Sequence, residues 1–178
     1  VPIGGIAGDQ QAALFGQASF KLNDQLSLLG GLRYTSDKVS DAQTQLSTVA
    51  FAPFTLPSST KSSSGTANQN NLSGKAGLQY ALDKQTNLYA TLSRGYKGPQ
   101  VDTSTPIGSL ANSGSAPATI VKPEISTALE VGAKMVTADR KVDADIALFR
   151  TRIKDFQEQN CTLTPIGALN CIPLNVPD

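Results

Sequence analysis

The sequence contains no histidine and no tryptophan, and it has no long uninterrupted hydrophobic run. Hydrophobic residues make up 39% of the 178 residues, but polar residues interrupt them well before the roughly 20 that a spanning helix needs. The absence of histidine removes the commonest metal ligand and general base. We find no catalytic constellation and no metal-binding set, and we predict that the chain is not an enzyme and carries no cofactor.

A dominant charge of one sign is also lacking. The sequence has 15 Lys and Arg residues against 14 Asp and Glu residues, which gives a net charge of +1. The basic residues do not cluster along the chain. Because nucleic-acid binding depends on concentrated positive charge, we expect no nucleic-acid partner.

What is present is a repeated pattern of alternating apolar and polar residues. Alternation with a period of two is typical of a β-strand that has one apolar face. Short polar turns join the alternating segments in pairs, and long stretches rich in Ser, Thr and Gly separate the pairs. Short turns at one end and long loops at the other are the layout of a transmembrane β-barrel wall. The paired segments are Leu14–Leu22 with Leu26–Tyr34, Leu72–Leu82 with Thr86–Tyr96, and Ile125–Thr137 with Arg140–Asp155.

We therefore predict an all-β fold with six antiparallel strands of a transmembrane barrel. The mean hydropathy of -0.14 agrees with this, because a barrel presents apolar residues to lipid only at every second position. Six strands cannot close a barrel of ordinary size, and an open edge in lipid leaves backbone groups unpaired. We expect the sequence to be one part of a longer barrel. The predicted strands are at about 10–22, 26–36, 70–82, 86–97, 123–137 and 140–156, and the predicted extracellular loops at about 37–69, 98–122 and 157–178.

The turns also predict which residues face each other across a hairpin. A three-residue turn at 23–25 places Phe20 opposite Leu28. A turn at Ala138-Asp139 places Lys134 opposite Asp143, on the face that points into the barrel. We predict an ion pair there, which in contact with water stabilises the hairpin by only about 0.2–1 kcal/mol.

Two sets of charged or aromatic residues are candidates for contacts outside the wall itself. On the outward face, three arginines lie roughly 20 Å above the short turns, at the upper membrane interface. Contact with lipopolysaccharide phosphates and ordinary snorkelling of long side chains both remain open for them. On the inward face, five residues are candidates for contact with a ligand or with a plug inside the barrel. The outward set is Arg94, Arg150 and Arg152, and the inward set is Arg33, Lys75, Tyr89, Lys97 and Glu130.

The two cysteines, Cys161 and Cys171, lie in one segment rich in Asn and Pro. Their spacing fits a local disulfide, which would imply an oxidising compartment. Two unrelated thiols, or a metal pair without further ligands, are the alternatives.

Several segments resemble, in order and in spacing, strands of TonB-dependent outer-membrane receptors. The resemblance implies a barrel of about 22 strands with a plug inside it. It also implies import of iron–siderophore complexes, cobalamin, haem or glycans, with energy supplied through TonB. The segments that carry the resemblance are residues 15–18, 32–35, 89–99, 121–126, 130–134 and 147–157.

From this resemblance we expect a central part of the barrel of an active-transport receptor in the bacterial outer membrane. The expected ligand is a ferric siderophore. Expected partners are outer-membrane lipid, lipopolysaccharide and the TonB complex, which would act through a receptor part with a plug and a TonB-binding motif that this sequence does not show. A passive porin or structural barrel is one alternative, and a soluble β-sandwich adhesion module is another.

Overall fold

The structure is a computed structural model that describes residues 3–47, 50–51, 54–55, 59–103, 114–163, 167 and 169–176. Its regular elements in this part are all strands. No helix among these residues is long and apolar enough to span a membrane. The strands are β1 (Ile3–Lys21), β2 (Leu26–Ser47), β3 (Ala50–Phe51), β4 (Phe54–Thr55), β5 (Ser59–Ala81), β6 (Thr86–Lys97), β7 (Gln100–Asp102), β8 (Gly114–Pro117), β9 (Thr119–Val121), β10 (Glu124–Val136), β11 (Asp143–Lys154), β12 (Phe156–Leu163) and β13 (Leu169–Val176).

Six long strands form one open antiparallel sheet in the order β1-β2-β5-β6-β10-β11. The short strand β8 adds to the upper end of β5 in a parallel pairing. The remaining described strands form the separate pairs β3–β4, β7–β9 and β12–β13. The prediction of three hairpins with six antiparallel strands is therefore confirmed.

One row of cross-strand partners shows how the sheet separates its two faces. The residues of this row are apolar on all six strands; Ala90 is partly exposed, and the five larger side chains range from 38% exposed at Leu28 to 73% at Leu148. Among the described residues, the buried hydrophobic side chains are Ala67 and Val121 alone. A soluble β-sandwich would bury such a row between two sheets, so that alternative is wrong. The row is Phe20, Leu28, Leu78, Ala90, Val131 and Leu148.

The first two hairpins close with the same side-chain device. Asn23 Oδ1 accepts hydrogen bonds from the backbone N–H groups of Gln25 and Leu26, at 2.9 and 2.7 Å. Asp83 Oδ1 does the same at 2.7 Å for Gln85 and Thr86. A short polar side chain that bonds the backbone two and three residues ahead favours a tight turn. In the first hairpin the turn sets the predicted register, with Phe20 opposite Leu28.

The third hairpin closes differently, and the predicted pairing of Lys134 with Asp143 is wrong. Lys134 lies opposite Asp145, and its Nζ is 3.4 Å from Asp145 Oδ2. The loop is longer than the sequence suggested, because Thr137 and Val142 close it by a backbone hydrogen bond. Asp139 accepts hydrogen bonds inside the loop from Thr137 and Lys141, which holds four residues in the turn instead of two. The pair keeps the predicted inward face, since the register differs by two residues.

The strands also extend beyond the predicted ends. Residues 37–47 and 59–69 belong to β2 and β5, although the sequence suggested a loop over 37–69. Short strands likewise occupy parts of the predicted loops 98–122 and 157–178. Alternation fades there because both faces are polar. The backbone pairing of β2 with β5 nevertheless continues; Asp37, for example, lies opposite Gln69. At about 2.3 Å of height per residue for a tilted strand, β2 and β5 rise well above a hydrocarbon layer of about 30 Å.

The turn at Asp83 allows a test of whether the hydrogen bonds accepted by its side chain stabilise the hairpin. Hydrogen bonds from the backbone N–H of Gln85 and of Thr86 lower the pKa of Asp83. A lowered pKa in the folded state gives stability above the unfolded value of about 4, and this stability is lost as the pH falls through the folded pKa. We expect Asp83→Ala to lower the urea midpoint of the full-length protein at pH 7, and this deficit to shrink near pH 3.

The matched control is Asp83→Asn, which installs the side chain that the first hairpin uses at Asn23. It keeps the acceptor without the charge, so its midpoint should stay near the parental value and its advantage over Asp83→Ala should not depend on pH. Equal urea midpoints for Asp83→Ala and the parent at pH 7 would show that the side-chain hydrogen bonds of Asp83 do not stabilise the protein.

The register of the third hairpin is open to direct cross-linking. Directly opposite residues have Cβ atoms about 4.5–5.5 Å apart, whereas diagonal neighbours are farther apart. We expect the double substitution Lys134→Cys with Asp145→Cys to form a disulfide in the folded protein. The pair Lys134→Cys with Asp143→Cys serves as the control and should remain largely reduced. The reverse result would support the predicted two-residue turn and contradict the four-residue turn. Gel mobility with and without reductant measures both.

Candidate ligand-binding wall

A groove of about 390 Å³ opens on the inward face of the long strands, across the lower halves of β1, β2 and β5 and the upper halves of β6 and β10. The register assembles it, because Gln17 lies opposite Gly31, Gly31 opposite Lys75, and Lys75 opposite Ser93. Gly31 leaves the groove open beside Gln17, since a Cβ there would lie 3.3 Å from Gln17 Cβ. The inward side chains that line the groove come from five strands and are Phe15, Gln17, Arg33, Lys75, Ser93 and Ser126.

The three charged residues that line this groove, Arg33, Lys75 and Arg94, are all cations. The Arg33 guanidinium carbon lies 6.0 Å from the centre of the Phe15 ring, a cation–π distance. Arg33 Nε also donates a hydrogen bond to Thr35 Oγ1 at 3.2 Å. These two contacts restrain the guanidinium beside Lys75. The groove is therefore suited to a negatively charged or electron-rich group, either of a ligand or of a plug.

The other predicted inward residues do not join this groove. Tyr89 donates a hydrogen bond from its hydroxyl to Glu130 Oε1 at 2.7 Å, so these two side chains bond to each other nearer the turns. Gly132 makes room for the ring, because a Cβ at this position would lie 2.6 Å from Tyr89. Lys97 lies exposed at the upper end of β6. The structure thus brings together Arg33 and Lys75 of the five predicted residues.

A buried carboxylate above the groove was missed by the sequence reasoning. Asp37 is 4% exposed and accepts hydrogen bonds from Gln11 Nε2 at 2.8 Å and from the Tyr96 hydroxyl at 2.7 Å. These bonds join β1, β2 and β6. Asp37 lies in the predicted first loop, but it continues the inward phase of β2. Extending the period-two count beyond Ser36 would have indicated its orientation.

The upper ends of the strands are joined by a buried amide side chain, that of Gln157. Gln157 is 8% exposed, and its Nε2 donates hydrogen bonds of 2.8 Å to the carbonyls of Gly98 and Lys122. Its Oε1 accepts a hydrogen bond from Gln100. Asn175 Nδ2 donates to the same Lys122 carbonyl at 3.0 Å. The β12–β13 hairpin is therefore attached to the bases of two other loop segments.

The predicted disulfide is present within that hairpin. Cys161 and Cys171 are direct cross-strand partners and are joined through their sulfur atoms, with their Cα atoms 4.0 Å apart. Groups of three or more His, Cys, Asp or Glu residues that might hold a metal ion do not occur among the described residues.

Of the three predicted outward arginines, Arg150 and Arg152 keep the outward phase of β11. Arg94 has the same phase in β6 but is among the residues that line the groove. Arg94 Nη1 donates hydrogen bonds to the Leu72 carbonyl and to Asn71 Oδ1. These contacts extend the Arg94 side chain toward β5.

A family model described as TonB dependent receptor-like, beta-barrel, matches residues 4–178. The chain belongs to this receptor family. The match covers the six-stranded sheet and the upper hairpins, so the predicted family and the barrel-wall fold are confirmed. A comparison with curated proteins gives no match.

Three solved receptors have the same arrangement of strands. The ferric yersiniabactin uptake receptor FyuA from Yersinia pestis is 21% identical, with a TM-score of 0.65 over 87% of this chain and 22% of the receptor. The ferric-catecholate import receptor Fiu from K12 E. coli is 20% identical, with a TM-score of 0.59 over 93% and 24%. The copper transporter OprC is 20% identical, with a TM-score of 0.67 over 96% and 25%. At these identities the likeness shows the fold, and the chain spans about a quarter of each receptor.

Gln157 provides a test of how the loop hairpin is attached. We expect Gln157→Leu to release the β12–β13 hairpin, because it removes the two hydrogen bonds to the Gly98 and Lys122 carbonyls, each of which contributes about 0.5–1.5 kcal/mol. The measurement is limited proteolysis of the folded receptor, with faster cleavage in the loop segments expected. Gln159→Leu, on the same strand but exposed, is the control and should leave cleavage unchanged. Parental cleavage of Gln157→Leu would show that the amide does not hold the hairpin.

Proposed function

We propose that this chain is part of the barrel wall of an outer-membrane receptor that imports a ferric siderophore with energy supplied through TonB. The observation that carries the proposal is the family match over residues 4–178. The restrained cations of the inward groove support the choice of ligand. The placement in the bacterial outer membrane is part of the same proposal, and the continuous apolar row on the outward face supports it.

The chemistry of a ferric siderophore fits a wall of this kind. The chelator supplies the oxygen ligands to the iron, so the receptor needs groups that recognise the outside of the complex. Ferric complexes of catecholates and hydroxy acids carry negative charge and polar oxygens, which Arg33 and Lys75 would attract and to which they would donate hydrogen bonds. The exposed ring of Phe15 adds an apolar surface beside them.

Uptake by the complete receptor tests this function. The receptor is expressed in an iron-limited strain that lacks its own siderophore receptors, and growth is measured with a panel of ferric siderophores. We expect growth on at least one ferric chelate, and loss of that growth when TonB is deleted. A copper-dependent phenotype without any ferric uptake would indicate that the ligand contains copper and is not a ferric siderophore. Uptake that persists without TonB would favour a passive porin.

The inward cations make a separate prediction for transport. We expect Arg33→Gln with Lys75→Gln to raise the half-saturating concentration of the ferric complex about tenfold, since the loss of two charge-assisted hydrogen bonds in water-exposed positions weakens binding by about 1–2 kcal/mol. Radioiron uptake at varied concentration measures the change.

Lys21→Gln is the control, because Lys21 has the same inward phase but lies next to the short turn, away from the groove. It should leave the half-saturating concentration unchanged. If the double variant keeps parental uptake but lowers the melting temperature of the receptor, the two cations support the plug and do not contact the ligand.

A further inference from the structure

The inward groove contains a cation that its sequence phase does not predict. Arg94 has the outward phase of β6, yet it is among the residues that line the groove. The backbone pairing of β5 with β6 ends at Gly74 and Arg94, so a β6 side chain can pass between the two strands above this pair. Arg94 Nη1 donates hydrogen bonds to the Leu72 carbonyl and to Oδ1 of Asn71, a residue with the inward phase of β5. The end of the ladder therefore allows Arg94 to reach the groove.

The strand register places this arginine beside the two cations already described. Arg33, Lys75 and Arg94 lie on the neighbouring strands β2, β5 and β6, in three successive rows of the ladder. Arg33 and Lys75 are diagonal neighbours, a separation of about 7–8 Å that long side chains span. Arg94 lies opposite Gly74, the residue next to Lys75. We call Arg33, Lys75 and Arg94 the groove cation set.

The wall itself does not neutralise the groove cation set. Two inward carboxylates of these strands are engaged elsewhere: Asp37 accepts hydrogen bonds from Gln11 and Tyr96, and Glu130 accepts one from Tyr89. In the part of the chain that the structure describes, none of the three groove cations forms an ion pair. A cleft lined by charge of one sign attracts the opposite charge. The occupant of the groove is therefore expected to supply the negative charge.

The groove also offers an aromatic surface and depth. The Phe15 ring is 73% exposed and lies beside the Arg33 guanidinium. Gly31 and Gly95 occupy inward positions of the groove, so backbone forms its floor there. An aromatic ligand with negatively charged oxygens can stack on the Phe15 ring while its oxygens accept hydrogen bonds from the cations.

We propose that the groove cation set selects ferric complexes of the catecholate class, and that Arg94 is a specificity-determining residue for this class. Three doubly charged catecholates around ferric iron give a triply negative complex, which matches the charge of the set. Three singly charged hydroxamates give a neutral complex, which would leave the cations unbalanced and has no aromatic ring to place on Phe15. Complementary charge of this kind acts mainly on specificity. The proposal rests on the proposed import of a ferric siderophore and specifies its chemical class.

The test compares two radioiron complexes, one with a tris-catecholate chelator and one with a linear tris-hydroxamate chelator. Equilibrium dialysis against the purified complete receptor gives the dissociation constant of each complex. We expect the parent to bind the ferric catecholate about tenfold more tightly than the ferric hydroxamate. This preference should decrease at high salt, because salt screens the charges.

Arg94→Gln tests the residue that the ladder end brings into the groove. We expect it to weaken binding of the ferric catecholate about fivefold, through the loss of one charge-assisted contact, and to leave binding of the ferric hydroxamate unchanged. The matched control is Arg150→Gln, which removes an outward cation that does not line the groove. It should bind both complexes like the parent.

The comparison in the parent keeps the proposal falsifiable if Arg94→Gln does not fold. Equal affinity of the parent for the two complexes, or tighter binding of a ferric hydroxycarboxylate than of the ferric catecholate, overturns the proposal. Parental affinity for the ferric catecholate in folded Arg94→Gln also overturns it. In each of these cases TonB-dependent uptake of a ferric complex still supports the proposed function, whereas absence of binding and uptake of every ferric complex contradicts that function itself.

Discussion

The backbone pairing of the long strands is the constraint on which the rest of this structure depends. In lipid, every N–H and C=O of a strand needs a partner on a neighbouring strand, so the strands must remain in a continuous ladder. Because side chains alternate with a period of two, the register of that ladder also decides which residues meet lipid. A slip of one residue in β2 would move Arg33 outward and Leu32 inward. Turns such as those at Asn23 and Asp83 therefore influence the composition of both faces.

Given this register, the two faces differ in what they can hold. The inward face contacts water, so opposite charges such as Lys134 and Asp145 can lie together at little cost or gain; their side chains are 57% and 60% exposed. The outward face cannot hold charge within the hydrocarbon, because desolvation of an ion is costly. Outward charge is therefore confined to the upper boundary, where Arg150 and Arg152 lie. The inward groove and the outward apolar row are formed by alternate residues of the same strands.

The sequence predicted well those parts where one face is apolar and the other polar. The first two hairpins, their turns and their phases follow from that contrast, and family-like segments such as 89–99 led to the correct receptor family. Prediction failed where the contrast disappears. Toward the upper ends of β2 and β5, residues 37–47 and 59–69 are polar on both faces, so only backbone pairing reveals the strands. The register of the third hairpin was predicted wrongly because the internal hydrogen bonds of Asp139 enlarge the loop. Alternation alone cannot distinguish registers that differ by two residues.

The upper network was beyond sequence reasoning for a different physical reason. Gln157 and Asn175 bond mainly to backbone carbonyls, and a carbonyl is present at every residue, so no pattern of side chains marks the acceptors. Asp37 is different, since its partners are side chains: Gln11 lies directly opposite it in the first hairpin, whereas Tyr96 comes from β6, 59 residues further along the chain. Both amides lie where strands end and loops begin, whereas Asp37 lies within β2, in a part that the sequence suggested was a loop. The wall below needs only the correct alternation, whereas its upper edge needs specific contacts.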